Sequence, residues 1–494
     1  MQVNYYRISI LYFILTALLL SYFIFSGQSL RLDESQSLWQ TSFSTGRLLE
    51  IVASDVHVPF YHSILHYWQI FLGNEVAVAR ILSLIFFVLT IPAVYLLGKI
   101  TYGEKIGIFA ALLVTISPFL NWYGNEIRMY SLFVFLTVLN QYFFVRLYKN
   151  RKEGALIWLL YSMTAILGSF THYFFLFQIL AQAMFYFSHK NLFNAKSFKR
   201  FAIIISILLV VMGGWFYYVF SLDNIGFSRP KLDEPTTYNL FDTMSQFIFG
   251  FQSDHFNALI IALWPLSVLL AFLTLGKNTK ISHDTFYLFI SILIPITFSF
   301  IISITIQPLY LTRYLIFTIP SLYLFLGWVF STYPPRAGQV ARIAIAAVMV
   351  LTLFDQTISA NLAIKEDFRT AADYLNRETN LRDVIIISPP FTIYPLEYYY
   401  RGPATITTLP KWNRFASGAI PEFSEEKMAG EIKGLKSTYD KGWLLLSYDQ
   451  GYEQEVKFYF DTNFERLETH ELSPGITLHA YRFNYNRDPL TQIR

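Results

Sequence analysis

The run VAVARILSLIFFVLTIPAVYLLGK, residues 76–99, decides the fold class of this chain. A helix rises about 1.5 Å per residue, so a run of this length crosses the roughly 30 Å hydrocarbon core of a bilayer. Runs of this kind recur along the chain and predict about eleven spans in an all-α polytopic membrane protein. The predicted spans lie near residues 8–26, 76–99, 106–121, 129–147, 155–171, 173–188, 201–220, 257–275, 285–305, 314–331 and 340–357.

The composition agrees with a membrane protein and excludes several chemistries. Of 494 residues, 54% are hydrophobic and 15% are charged, which is more apolar than a soluble domain. The chain has no cysteine, which excludes thiolate catalysis, iron–sulfur clusters and cysteine-ligated zinc. The net charge of +4 comes with Lys and Arg residues in short loops between apolar runs, so we expect no nucleic-acid partner.

The loop charges also predict the topology. With the N-terminus in the cytoplasm and run 8–26 as a retained signal anchor, most basic loops face inward, as the positive-inside bias requires. We therefore expect the C-terminus on the outer side of the plasma (inner) membrane. The predicted inner loops are GKITYGEK (98–105), RLYKNRKEG (146–154), HKNLFNAKSFKR (189–200), GKNTK (276–280) and PPRAGQVAR (334–342).

Two domains follow from this map. Residues 1–357 form the predicted membrane module, and residues 358–494 a small outer α/β domain, in which DVIIISPP and GWLLLSYD are typical of buried strands. The first outer loop, 27–75, contains apolar stripes too short to span, which predict interfacial helices. A further outer loop is expected at 221–256.

Polar residues that are unusual near a bilayer gather on the predicted outer side, although they come from separate stretches. Charged groups at bilayer depth are costly and usually face a cavity or a partner, so this clustering predicts one outward-facing site. We expect Asp33 and Glu34 to be catalytic. The expected substrate-binding residues are Asp55, His57, Glu126, Arg128, Tyr130, His172, Arg313 and Tyr314.

Each of these residues also has an ordinary structural explanation. The acids are suited to capping helix ends, and the arginines to reaching the headgroups from the ends of spans. His57, His62 and His66 invite a metal site, since the last two are one helical turn apart, but without carboxylates that complete the ligand set such histidines are more often interfacial or core residues. The metal ligands are unknown at this stage, with His57 and His172 as candidates.

The absent motifs narrow the chemistry. The sequence has no GxxxxGK phosphate loop, no glycine-rich dinucleotide turn after a strand and no Gly-x-Ser-x-Gly elbow, so neither ATP nor a nicotinamide is expected. An enzyme facing outward without ATP can use an activated donor dissolved in the membrane. A sugar linked to polyprenyl phosphate is such a donor, because cations stabilise the departing phosphate and a carboxylate takes the acceptor's proton.

Five stretches, in this order, resemble the GT-C glycosyltransferases over roughly residues 1–330. The closest groups are the bacterial relatives of protein O-mannosyltransferases and the lipid A aminoarabinose transferases. The stretches are RLDESQSLW (31–39), DVHVPFYHSILHYW (55–68), SPFLNWYGNEIRMYSL (117–132), FTHYFF (170–175) and LTRYLIFTIPSLYLFLG (311–327).

The resemblance implies roles for two positions. It implies that Asp33 acts as the catalytic base or near it, with Glu34 as a neighbour that tunes or orients it. His57 is similar to an acidic metal-contacting position of the aminoarabinose transferases, whereas protein mannosyltransferases work without metal, so the cofactor is either none or a divalent metal. The stretch HVPFY has Val58 and Phe60 where the family pattern has Pro and Leu.

The sequence thus predicts an inverting glycosyltransferase that uses a polyprenyl-phosphate sugar donor and a lipid, glycan or protein acceptor, in contact with membrane lipids. A transporter or flippase of lipid-linked sugars and a non-catalytic scaffold of envelope glycan assembly are the alternatives. A flippase favours matched halves with ionisable residues near mid-bilayer, and no internal repeat is visible. A scaffold has no need for acids and arginines at one site.

Overall fold

The chain forms two compact units. The computed structural model describes residues 5–55, 57–150, 154–222, 232–251, 281–358, 366–415, 420–447, 451–473 and 475–483. The first unit takes in the described parts of Met1–Ser26, Ser44–Asp223 and Pro230–Ser359, and the second those of Gly27–Phe43 and Ala360–Arg494. The predicted domains, 1–357 and 358–494, stay predictions. In the structure, the segment Gly27–Phe43 belongs to the same compact unit as the tail.

Helices dominate the described residues. In chain order they are α1 (Tyr5–Gly27), α2 (Leu32–Thr41), α3 (Thr45–Ser54), α4 (Pro59–Leu72), α5 (Val76–Thr101), α6 (Glu104–Ile116), α7 (Pro118–Gly124), α8 (Tyr130–Lys149), α9 (Ala155–Ser169), α10 (Phe175–Ser188), α11 (Ala195–Ser221), α12 (Thr237–Phe249), α13 (His283–Thr305), α14 (Ile319–Thr332), α15 (Pro335–Ile358), α16 (Phe368–Glu378), α17 (Ile393–Tyr399), α18 (Glu425–Thr438) and α19 (Glu453–Asn463). A 3₁₀ segment, Thr312–Thr318, leads into α14.

The first unit is built from membrane-spanning helices. Among the described residues, seven helical stretches are long and apolar enough to cross a membrane, and the bent pair α6–α7 makes an eighth if it is one span. Helices α9 and α10, at two predicted spans, have only 15 and 14 residues. The predicted span 257–275 lies outside the described residues. The prediction of an all-α polytopic membrane protein is confirmed, and the number of spans stays a prediction.

The span formed by α6 and α7 bends by 61° at Ser117. Pro118 starts α7 and cannot donate a backbone hydrogen bond, so the helix breaks before it. The freed backbone groups find side-chain partners: the Ser117 hydroxyl accepts from the N–H of Leu120, and the Asn121 amide donates to the carbonyls of Thr115 and Ser117, both at 2.8 Å. The break directs the chain into the buried turn before α8.

A network of buried amides and hydroxyls ties five helices of the first unit together. The Gln182 amide on α10 donates to Asn140 on α8 at 2.7 Å and to the Tyr287 hydroxyl on α13 at 3.1 Å. The Tyr161 hydroxyl on α9 donates to Gln182 at 2.8 Å. A parallel link joins Gln141 on α8 to Ser321 on α14 at 2.9 Å. Polar partners of this kind fix which helices pack together, because lipid offers none.

The predicted interfacial region contains the short helices α3 and α4. On α3, Leu48 and Val52 are fully buried and pack with Trp215 of α11. Pro59 takes the first helical position of α4, and the N–H of Phe60 donates to the carbonyl of Phe170 at 3.0 Å. The start of α4 is therefore fixed against the turn that leads to α10.

The tail folds around a five-stranded sheet. Its strands are β1 (Asp383–Ser388), β2 (Thr405–Thr408), β3 (Lys441–Ser447), β4 (Glu465–Ser473) and β5 (Ile476–Arg482), in the spatial order β2-β1-β3-β5-β4. Strand β1 is parallel to β2 and β3, and β5 is antiparallel to β3 and β4.

Helices cover both faces of this sheet. Phe368 of α16 and Leu396 of α17 pack against Ile385 on one face. Ile432 of α18 and Phe460 of α19 belong to the core on the other face. A strand covered on both sides is apolar along its middle, as VIII (residues 384–387) in β1 is, and every residue of β1 is buried. The predicted small α/β domain is confirmed.

Replacing Gln182 by leucine tests whether the amide network stabilises the bundle. The Gln182→Leu change keeps a similar volume but leaves the Tyr161 hydroxyl and the Asn140 carbonyl oxygen without this partner, at about 1–3 kcal/mol for each unsatisfied group. We expect a lower midpoint of thermal unfolding in detergent. Met184→Leu, at an exposed position on the same helix, is the matched control and should leave the midpoint unchanged. Equal midpoints for both variants contradict the stabilising role.

Candidate functional site

The predicted acid pair lies in the first turn of α2, in the second unit. The Glu34 side chain is fully buried, and its Oε2 accepts a 3.0 Å hydrogen bond from the backbone N–H of Arg31. The Nε atom of Arg31 lies 3.8 Å from the same oxygen. Asp33 is half-buried. Glu34 therefore caps the N-terminus of α2, and Asp33 is the more accessible carboxylate of the pair.

Arg128 is the central cation of the first unit. It lies in the turn between α7 and α8, and only 3% of the residue is exposed. Its Nη2 donates to Nε2 of His57 at 3.0 Å, and its carbonyl oxygen accepts from the Ser83 hydroxyl of α5 at 3.3 Å. The Ser83 oxygen lies 3.1 Å from the Tyr61 hydroxyl of α4. Both the backbone and the side chain of Arg128 are thus fixed by neighbouring elements.

Two histidine rings stack beside this arginine at the start of α4. The His57 and His62 centroids are 5.5 Å apart. Because a guanidinium can only donate, Nε2 of His57 is the acceptor, and Asp55 Oδ2 lies 3.9 Å from the same nitrogen. Burial, reinforced by His57 and Arg128, lowers the pKa of His62 to about 3. His62 is therefore neutral at physiological pH.

His172 lies in the turn between α9 and α10. Its ring stacks on Phe133 of α8, with 4.7 Å between centroids and 7° between planes, and meets the Tyr314 ring edge-on at 5.0 Å. Its Nδ1 accepts a 3.2 Å hydrogen bond from the backbone N–H of Phe174. The His172 ring is therefore locked in one orientation from two sides.

The electrostatics of His172 link it to both arginines. Burial lowers its pKa well below the ordinary value, and His57, Arg128 and Arg313 add to this effect. The Arg313 guanidinium lies over the Tyr314 ring at 5.8 Å from its centroid. The histidine thus stays neutral in a setting that two cations make positive.

All eight predicted substrate-binding residues lie in the first unit. Hydrogen bonds or ring contacts join Arg128 with His57, and His172 with Tyr314; the Tyr130 ring lies 6.2 Å from that of His172. Glu126 is buried in the turn that carries Arg128. The first unit contains Asp55, His57, Glu126, Arg128, Tyr130, His172, Arg313 and Tyr314, and the second unit contains Asp33 and Glu34.

Sequence reasoning missed two neighbours of the cluster. Phe133 supplies the surface on which His172 stacks, and Ser83 fixes the backbone of Arg128. Both residues lie inside long apolar runs. Phe133 is one of many phenylalanines there, and no sequence pattern distinguishes it from the others. Ser83 was the stronger signal, because it is a hydroxyl three residues after Arg80 in an otherwise apolar span.

The donor groups do not make a metal site in the part of the chain that the structure describes, since no group of three or more His, Cys, Asp or Glu residues there is placed to hold an ion. His57 uses Nε2 to accept from Arg128, and His172 uses Nδ1 to accept from Phe174. The divalent metal therefore stays a prediction.

The cluster in the first unit suits an anionic ligand with phosphate oxygens. A guanidinium offers paired N–H donors in one plane, which match two oxygens of a phosphate, and its charge strengthens each hydrogen bond. Arg128 and Arg313 supply two such groups, while His62 and His172 add no charge of their own at physiological pH.

Comparisons with known proteins agree with this chemistry. A family model described as dolichyl-phosphate-mannose-protein mannosyltransferase matches residues 57–216, a segment that includes His57, Arg128 and His172. No curated protein matches the sequence. The crystal structure of ArnT from Cupriavidus metallidurans in the apo state has a TM-score of 0.64 at 11% identity, over 95% of this chain and 97% of that chain.

Two ligand-bound structures are also similar. ArnT from Cupriavidus metallidurans bound to undecaprenyl phosphate has a TM-score of 0.62 at 12% identity, over 95% of this chain and 97% of that chain. The archaeal oligosaccharyltransferase AglB from Archaeoglobus fulgidus was solved in complex with an inhibitory peptide and a dolichol-phosphate. It has a TM-score of 0.54 at 13% identity, over 98% of this chain and 75% of that chain. The chain is therefore a multi-pass membrane protein with the fold that ArnT and AglB share, in agreement with the fold that its sequence motifs predicted.

Proposed function

We propose that this chain is an inverting glycosyltransferase of the plasma (inner) membrane that moves a sugar from a polyprenyl-phosphate-linked donor to a lipid, glycan or protein acceptor on the outer face. The observation that carries the proposal is the buried Arg128–His57 pair within the segment matched by the mannosyltransferase family model. The lipid phosphates bound by ArnT and AglB support the donor class.

The reaction needs a base and a site for the leaving phosphate. Asp33 takes the proton of the acceptor hydroxyl as its oxygen attacks the anomeric carbon of the sugar. The bond from that carbon to the phosphate oxygen breaks, and polyprenyl phosphate leaves with an additional negative charge. Arg128 and Arg313 stabilise this charge more strongly in the transition state than in the donor, which is the condition for acceleration.

Attack from the face opposite the phosphate inverts the anomeric configuration in one displacement, so no covalent sugar–enzyme intermediate is required. Glu34 acts on Asp33 indirectly, by capping the helix that carries it. The remaining substrate contacts are assigned to Asp55, His57, Glu126, Tyr130, His172 and Tyr314. A flippase or a scaffold accounts less well for the match to a mannosyltransferase model.

The proposed topology places the N-terminus in the cytoplasm and the tail outside, and single cysteines in this cysteine-free chain test it. An impermeant maleimide added to intact cells should label Ser437→Cys, at an exposed position on α18, and spare Asn191→Cys, in the predicted inner loop 189–200. Both should react after the membrane is permeabilised. The opposite pattern in intact cells places the proposed site on the wrong side.

Replacing the proposed base should remove turnover without unfolding the protein. Asp33→Asn is nearly isosteric, and loss of a general base lowers rates by about 10²–10⁴. Glu34→Gln keeps an oxygen that accepts from the Arg31 N–H, so its effect should be smaller. The measurement is sugar transfer by the purified variants with a saturating polyprenyl-phosphate sugar. Wild-type turnover by Asp33→Asn rules out its assignment as the base.

Conservative replacement of the arginines distinguishes phosphate binding from anchoring at headgroups. Lysine keeps the charge but not the planar pair of donors, so Arg128→Lys and Arg313→Lys should each lose about 1.5–3 kcal/mol when a hydrogen bond to a charged group is lost. Affinity for a polyprenyl-phosphate analogue measures the loss. Arg146→Lys, in the last turn of α8, is the matched control and should bind normally. Normal binding by all three variants supports anchoring instead.

A further inference from the structure

The segment that carries the acid pair is fastened to the tail by its backbone. The N–H of Leu30 donates to the Tyr399 hydroxyl of α17 at 2.9 Å. The backbone N–H of Arg369 on α16 donates to the Ser29 hydroxyl at 3.2 Å, and its guanidinium donates to the carbonyl of Gln28 at 3.3 Å. These contacts fix where α2 begins, whereas its rotation about its own axis depends on contacts farther along the helix.

A cation clamp at the other end of α2 defines that rotation. The Arg414 guanidinium lies over the rings of Trp39, Tyr394 and Phe415, at 5.3, 5.0 and 5.1 Å from their centroids. Its Nη2 pairs with Glu397 Oε2 of α17, one turn after Tyr394. Trp39 of α2 also contacts Tyr394 directly, at 5.0 Å between centroids. The clamp, defined as Trp39, Tyr394, Glu397, Arg414 and Phe415, joins α2 to α17.

Burial of its guanidinium strengthens the clamp. Only 7% of the Arg414 side chain is exposed, and a cation–π contact is stronger where water is excluded. Neither Arg414 nor Trp39 belongs to the two apolar cores that hold the sheet and its helices together. Loss of the clamp is therefore expected to loosen α2 while the sheet stays folded.

The geometry of α2 connects the clamp to Asp33. Trp39 follows Asp33 by six residues, which is about 240° around a helix with 100° per residue, so the two side chains leave the helix on different sides. A catalytic group has to be held within about 0.5 Å and 10–20° of its productive position. A small rotation of α2 about its axis exceeds that tolerance, since Asp33 lies off the axis.

We propose that Arg414 and Trp39 are positioning residues that set the orientation of α2 and thereby of the Asp33 carboxylate. The inference rests on the proposed function, because it requires Asp33 to be the base. The inference gives the tail a part in catalysis, since the α/β domain holds α2, the helix that carries Asp33, in its productive orientation.

Hydrogen exchange of the full-length protein tests the clamp without any activity measurement. In Arg414→Met the apolar stem is retained and the guanidinium is lost, so backbone amides of α2 should exchange about tenfold faster or more while those of β1 and β3 do not change. Arg382→Gln removes an exposed ion pair with Asp440 in the same unit and is the matched control. Unchanged exchange of α2 in Arg414→Met overturns the proposal.

Steady-state kinetics then separate positioning from a general loss of stability. In Arg414→Met, kcat should fall by about 10–100-fold, as expected for a catalytic group displaced by about 1 Å, with KM for the donor unchanged. Trp39→Phe, which keeps an aromatic ring, should retain most of the turnover that Trp39→Ala loses. If Trp39→Phe and Trp39→Ala lose turnover to the same extent, because each lowers the amount of active enzyme, the proposal is overturned.

A double-mutant cycle with Asp33→Asn decides whether Arg414 acts through Asp33. If it does, Arg414→Met should cause little further loss in the Asp33→Asn background, because the group that it positions is already gone. The same fold-loss in both backgrounds overturns the positioning role. Wild-type turnover by Asp33→Asn shows instead that the base assignment of the proposed function has failed. An inactive Asp33→Asn with full kcat in Arg414→Met shows that the clamp inference alone has failed.

Discussion

The absence of water inside a bilayer obliges each polar group of a spanning helix to find its partner within the protein. This constraint accounts for the main polar features of the first unit. The break at Ser117 survives because Asn121 replaces the lost backbone hydrogen bonds. The amides of Gln182 and Gln141 bond to neighbouring helices, and the buried Arg128 bonds to His57. The polar groups that specify the helix packing and those that form the candidate site are thus alike in one respect: each finds its hydrogen-bond partner within the protein.

The sequence predicted features that leave a periodic or compositional trace. Ten of the predicted spans coincide with described helices, and the apolar core VIII of the stretch DVIIIS predicted a buried strand. The positions of Arg128 and His172 at the ends of spans predicted that they share a site. Pairwise contacts leave no such trace: nothing in the sequence indicates that Phe133 supports His172 or that Ser83 holds the backbone of Arg128.

The same limit applies to Trp39 and Arg414. They are separated by 375 positions, and each looks like an ordinary residue of an aromatic-rich loop. Glu34 shows a related limit, because its adjacency to Asp33 in the sequence does not indicate that its carboxylate caps the helix that carries both residues. Local sequence identifies which residues carry chemistry; the fold determines which residues hold them in place.

The burial of His62 gives the first unit a built-in sensitivity to acid. In the unfolded chain this histidine takes up a proton near its ordinary pKa of 6.5, whereas in the folded protein the pKa is about 3. Between these values the unfolded state binds the additional proton, so acidification favours unfolding, and the penalty disappears above pH 6.5. The same shift keeps the His62 ring uncharged over that interval. The cluster thus loses resistance to acid unfolding but keeps an uncharged imidazole beside Arg128 over that range of pH.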